Sequence, residues 1–420
     1  MTHEPLTAGT VPAEPDDAAR RSQQRWVSER GYLNGHRYEL TQAAQELYPA
    51  SWRLAGTPLM CRPEWLPAMP IPLEAVTLSW HPGQQGTVVD ATRPAGSAGV
   101  RPLRDDGVRY DSYAATLEAL SRPRLLENRT CYRLLGVHAS AAEARLAFGT
   151  GRYFDLINVS EAVAHETASR ILGRRDPGGA PEQHGRPGSQ AVDGTFTMSE
   201  LPLRSSVGDP LELGRRSVTP GICTLILRLD RDMGSAQMIL HWRDPANVAV
   251  NGGLYQVAPA GMFQPSGDAV WNIANDLGLW QAIAREVSEE LLGTSEDYGS
   301  DVAPIDYGQW PFFATLAGAR QAGRLHGYWL GAGTDPLTLA TDLLTVLVFD
   351  APFFDTALGG LVRSNEEGHF ITGPAVPDGD VGVEFSAASV ERFTTAEAMQ
   401  PAGAALLRLA WQHRKVLLNM

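Results

Sequence analysis

At 420 residues the chain is long enough for two domains, or for one with a large extension, and a hydrophobic content of 43% supports a substantial core. With 35 basic against 48 acidic side chains the net charge is −13, which argues against a nucleic-acid partner held through its phosphates. Lys415 is the single lysine and stands far from any glycine-rich loop, which excludes a Walker-type phosphate loop and a pyridoxal-phosphate imine.

Residues 1–18 are polar, lack the apolar centre of a signal peptide and read as a disordered N-terminus. An N-terminal α+β region follows over 19–172. Helices are expected at 21–32, 38–47, 110–120 and 159–172, and strands at 75–80 and 132–135. Residues 146–156, with their glycines and aromatics, read as a turn between ordered segments. His165-Glu166 begins like a zinc-protease motif, but position 169 is serine, so a structural histidine is expected. Cys61, Cys131 and Cys223 are widely spaced and odd in number, as expected of buried thiols in a cytoplasmic protein rather than a zinc site or disulfide framework. No apolar run is long enough to cross a membrane, so no membrane partner is expected.

The clearest break is at 173–200, where Asp176-Pro177-Gly178-Gly179 and Gly185-Arg186-Pro187-Gly188 read as a loop or linker. Beyond it, over 201–420, a second unit is expected. A β-rich run at 224–229, turn residues at 230–235 and a second run at 237–242 predict a hairpin. A third strand at 254–259 leads into a loop containing Gly261. A helix follows from 279, an apolar strand lies at 343–349, and an amphipathic helix closes the chain over 398–418.

The helix carries Arg285-Glu286-Val287-Ser288-Glu289-Glu290. At about 100° per residue, Glu286, Glu289 and Glu290 share one sector of roughly 100°, while Trp280, Ile283, Ala284, Val287 and Leu291 occupy the next and can face a core. Three like charges this close repel. A hard divalent cation turns that repulsion into binding, since Mg²⁺ prefers a few carboxylates together with phosphate oxygens. A solvated acidic face is the plain alternative.

The order R-E-hydrophobic-x-E-E resembles the second half of the Nudix box, the signature of hydrolases that cleave nucleoside diphosphates linked to another group. The first half departs from that pattern. Position 271, where the pattern has its glycine, is Trp, and position 277, where it has a glutamate, is Leu. Gly261, after Val257-Ala258-Pro259-Ala260, looks like the displaced glycine, with an insertion over 264–273. Leu292 stands at the glycine that usually follows the two glutamates, and Gly293 comes next.

The resemblance implies a Nudix-like α/β/α sandwich with a mixed sheet in the C-terminal half, within an overall α/β (α+β) protein. It implies Mg²⁺ or Mn²⁺ as cofactor, with Glu286, Glu289, Glu290 and the carbonyl of Gly261 as metal ligands. Arg285 would orient a glutamate through a salt bridge, and Glu286 would serve as ligand or base. Glu366 or Glu367, in a turn beyond the 343–349 strand, would complete the metal shell or take the proton, with Glu296 and Asp297 as the next candidates. The expected partner is a small diphosphate substrate, and a homodimer is compatible with the sequence. The altered box leaves two rivals open: a sensor of a nucleotide metabolite, and a secondary-metabolism enzyme that has reused the fold. No residue in the sequence marks the substrate-binding surface.

Overall fold

The structure, a computed structural model, describes residues 17–83, 86–123, 126–175, 196–243, 253–359, 361, 364–365, 368–371 and 382–419. Most of the expected disordered start and most of the 173–200 segment therefore lie outside the described residues. Among the described residues no helix is long and apolar enough to cross a membrane.

The first half begins with helices α1 (Asp17–Gly35) and α2 (Arg37–Ala44), followed by short 3₁₀ turns. Strand β1 (Ile71–Pro72) precedes β2 (Val76–Trp80), helix α3 (Tyr113–Leu120), β3 (Thr130–Ala139) and β4 (Ala144–Arg152). The chain continues through α4 (Tyr153–Leu156), a π turn at Ile157–Glu161, α5 (Ala162–Arg175) and α6 (Pro202–Val207). Strands β2, β4 and β3 form a three-stranded sheet in that order. Sequence reading placed a turn where β4 runs. The glycines that suggested a turn have another use: a Cβ on Gly151 would sit 2.7 Å from Thr219 Cγ2. The strand needs glycine because another segment crosses it closely.

The second half supplies β5 (Gly221–Asp230), β6 (Ser235–Met238), β7 (Leu240–Arg243), β8 (Tyr255–Val257) and β9 (Ala260–Met262). Next come α7 (Val270–Asn275), α8 (Leu279–Glu286), α9 (Pro311–Gln321), β10 (Leu325–Thr334), β11 (Thr341–Asp350) and α10 (Ala351–Ala357). Strands β12 (Ser364–Asn365), β13 (Gly368–Phe370) and β14 (Val383–Glu384) precede helices α11 (Ala387–Thr395), α12 (Pro401–Gln412) and α13 (Arg414–Leu417). The seven-stranded sheet has the order β1-β10-β11-β5-β6-β14, with β9 also on β5. It is mixed: β11 and β5 run parallel, while β10/β11, β5/β6 and β5/β9 are antiparallel. The expected strand at 237–242 is two strands. β6 stays in the large sheet, and β7 joins a four-stranded sheet of order β12-β13-β7-β8. The protein is thus an α+β protein with mixed sheets.

The central strands are apolar because both faces are covered. Leu343, Leu344, Val346, Leu347 and Val348 of β11 and Ile222, Leu225, Ile226 and Leu227 of β5 are all buried. Helix α12 packs on β5, β8, β10 and β11, and α8 packs on β5 and α9. One core cluster includes Trp26, Tyr132, Phe148, Ile226, Phe263, Trp329 and Leu406, so residues on both sides of the 173–200 segment share it.

A charged network also lies within the first half. Glu161, in the π turn, accepts from Arg30 at 2.5 Å and Arg37 at 2.9 Å, and all three side chains are almost fully buried. Burial alone would raise the Glu161 carboxyl; Arg37 and Arg30 outweigh it and hold it down at about 2. His165 is a structural histidine. Its Nδ1 meets the Tyr113 hydroxyl at 3.1 Å and its Nε2 meets Glu29 at 3.2 Å. Burial lowers its pKa despite Glu29.

Candidate functional site

The acidic cluster sits where α8 changes its winding. Gly278 precedes α8 and the apolar residues Leu279, Trp280, Ala282, Ile283 and Ala284 are buried along it. Residues Val287–Leu291 continue it as one π turn, burying Val287, Ser288 and Leu291. A wider turn shifts side chains off the simple 100° spacing, and such turns recur at functional sites. Glu286, Glu289 and Glu290 are each half-buried.

Each carboxylate meets a different neighbour. Glu286 lies against Gly261, where a Cβ would fall 2.1 Å from its Oε2. Gly261 is held there by β9, which pairs with β5 in the register Ile222↔Gly261. Glu290 Oε1 accepts the backbone N–H of Ala260 at 3.1 Å. Glu289 Oε1 accepts the Tyr298 hydroxyl at 2.8 Å. The structure therefore brings Gly261, Glu286 and Glu290 together at one strand end, with Glu289 turned towards the 294–300 segment.

Burial and the charges of Glu289 and Glu290 push the Glu286 carboxyl well above its ordinary range. Glu289 is raised too, chiefly by burial, with the Tyr298 hydrogen bond and Arg285 working against the rise. Glu296 adds to the repulsion on both. Burial and like-charge repulsion thus outweigh the nearby arginines at this helix.

Arg285 plays a different part from the expected one. Its ion pair is with Asp276, Nη1 to Oδ2 at 3.1 Å, and both side chains are buried. It also donates to the Tyr307 hydroxyl at 3.0 Å and to the Gln264 carbonyl at 2.7 Å. Asp276 in turn accepts from the Ser266 N–H at 2.7 Å, the Ser266 hydroxyl at 2.6 Å and Tyr307 at 2.9 Å. Arg285 thus fastens the helix to the inserted loop rather than aligning a glutamate. The carboxylate missing at Leu277 is present one residue earlier, and the non-helical link between α7 and α8 lets Asp276 reach back to Arg285. Pattern matching at a fixed offset could not find it; an acid one place from the expected position was the available signal.

The first half also reaches the site, which sequence reading missed. Asp268, in the inserted loop, accepts the Thr130 N–H at 2.8 Å and lies 3.7 Å from Arg152 Nη1. Arg129 Nη1 lies 3.8 Å from Glu296 Oε2. Glu366 and Glu367 lie outside the described residues.

No family model matches the chain, and no curated protein matches it. Among the described residues no group of three or more histidine, cysteine or carboxylate side chains is drawn together as a ready metal site. The donor set is nonetheless all oxygen, which suits a hard cation. The contact of Gly261 with Glu286 gives a direct test. Gly261→Ala should push the carboxylate aside while leaving the fold intact, since the displaced atoms end a flexible side chain. If Glu286 holds a cation, affinity for Mn²⁺ should fall by about tenfold or more, as when a positioning partner of a ligand is lost. Calorimetric titration alongside thermal unfolding measures both. Unaltered affinity would mean that this contact does not place Glu286.

Proposed function

We propose that the protein is a Mg²⁺- or Mn²⁺-dependent hydrolase of a diphosphate-containing substrate, most simply a nucleoside diphosphate derivative, built on a Nudix-like sandwich in its C-terminal half. The observation that carries this reading is the Glu286 carboxylate pressed against side-chain-free Gly261, its proton affinity raised by burial and by Glu289 and Glu290. Glu286, Glu289 and Glu290 would hold the cation, with the Gly261 backbone beside them. A bound divalent cation supplies charge neutralisation for the diphosphate and a more acidic attacking water.

The protein's own residues do the rest. Asp276, Arg285 and Tyr307 fix the inserted loop to the helix, so that Gly261 and Glu286 keep their relation. Glu286, whose carboxyl is raised above its ordinary range by burial and by Glu289 and Glu290, would serve as ligand or base. Glu289 and Glu290 accept hydrogen bonds on Oε1, from Tyr298 and Ala260, and could offer Oε2 to the cation.

Those same hydrogen bonds favour a second reading, in which the domain binds a nucleotide metabolite without turning it over. One experiment separates the two. Purified protein with Mn²⁺ or Mg²⁺ is incubated with nucleoside diphosphate derivatives, and released phosphate or nucleoside monophosphate is measured. Release supports the hydrolase; saturable binding without release supports the sensor. In parallel, Glu289→Gln and Glu290→Gln should each weaken Mn²⁺ binding and shrink the thermal stabilisation it gives. At a free ion concentration of about 100 times Kd, the wild type should gain roughly 2.7 kcal/mol. Full stabilisation of both variants would count against a cation at this helix.

A further inference from the structure

We propose that Arg129, from the first half of the chain, receives the anionic phosphate end of the substrate, so that the site is composite; this rests on the cation-dependent reading above. Two arginines act on Glu289, and they differ in kind. Arg285 is buried and engaged by Asp276, Tyr307 and the Gln264 carbonyl, which leaves it no freedom to meet a solute. Arg129 is 44% exposed and stands at the rim. Its Nε donates to Glu127 Oε2 at 2.9 Å, which fixes the base of the guanidinium. Nη1 faces Glu296 at 3.8 Å, beyond hydrogen-bonding distance. Among the described residues the two terminal nitrogens donate no hydrogen bond.

Burial works against the charge of Arg129, but Glu127, Glu296 and Asp268 outweigh it and raise its pKa. It is a persistent positive charge beside the carboxylates proposed to hold the cation. A diphosphate bound there has more negative charge than one divalent ion neutralises, and a planar guanidinium fork matches two phosphate oxygens. The arginine is held in place by the backbone. Tyr153 N–H donates to the Arg129 carbonyl at 3.0 Å, and Asp268 ties the next residue, Thr130, to the inserted loop. Glu296 competes for the same guanidinium and would be displaced as the phosphate enters.

The test titrates full-length protein with Mn²⁺ alone, then with inorganic pyrophosphate at saturating Mn²⁺. Arg129→Gln should leave the Mn²⁺ affinity within about twofold of wild type, which also reports an intact fold, and should weaken pyrophosphate binding roughly ten- to a hundredfold, the scale of a lost charged hydrogen bond. Arg129→Lys, which keeps the charge but not the fork, should recover part of the loss. Glu296→Gln, which removes the competitor, should tighten pyrophosphate. Equal pyrophosphate affinity in Arg129→Gln and wild type overturns the assignment, as does a wild type that binds Mn²⁺ but not pyrophosphate. A wild type that binds no Mn²⁺ overturns the underlying cation site and this inference with it.

Discussion

Glu286→Gln should sharply lower cation-dependent hydrolysis while leaving the metal-free protein as stable as wild type or more so. The side chain is raised above its ordinary pKa by burial and by two neighbouring carboxylates, so its charge is a burden on the metal-free fold. Removing that charge relieves repulsion without emptying the core, since the buried face of α8 is made by Trp280, Ile283, Ala284 and Val287. With the cation bound, the same charge becomes favourable. Its loss should lower kcat/KM by at least about a hundredfold, corresponding to about 2.7 kcal/mol or more of transition-state stabilisation. The two effects have opposite signs, which distinguishes a functional role from a structural one. Thermal unfolding with and without Mn²⁺, and turnover of whichever derivative the wild type cleaves, provide the measurement. A variant that unfolds earlier without metal, or keeps its activity, contradicts the assignment.

Glu161→Gln should be the most destabilising single change considered. It removes the carboxylate that pairs with both Arg30 and Arg37 in the interior. Breaking a buried pair from one side costs about 3–5 kcal/mol, a large part of the net stability of most domains. The same group predicts an acid limb. Its folded pKa is depressed to about 2 from an ordinary 4.5, so it stabilises the fold above 4.5, and that contribution is lost as pH falls towards 2. Denaturant unfolding at pH 7 and along a series down to pH 3 should show a steeper acid loss in wild type than in the variant. Parallel slopes would mean that Glu161 is not the titrating group.

The sequence made the centre of the fold legible because its strands are buried on both faces. The apolar runs at 224–229 and 343–349 lie within β5 and β11, which have little composition but apolar. Strand β4 was hidden because its glycines answer to a neighbouring segment and not to their own backbone. The split between β6 and β7 was hidden because a continuous β-rich run does not reveal where a chain leaves one sheet for another. At the site, Gly261 and Glu286 could be paired only through the resemblance to the Nudix box. Asp276 could not, because its contact with Arg285 depends on the angle between two short helices. Arg129 was out of reach, since its place depends on β3 and the inserted loop packing together, and no local pattern records that.

The outer strands of the large sheet carry a consequence for self-association. Among the described residues its row ends in β1 on one side and β14 on the other, and each spans two residues there. Short outer strands offer few unpaired amides to another chain. At β9, the N–H of Ala260 is occupied by Glu290. The carboxylate proposed to bind a cation therefore also blunts an open sheet margin. Were Glu290 to give up that bond to a cation, the amide would lose its acceptor, so cation loading and resistance to strand-by-strand aggregation would pull on the same side chain.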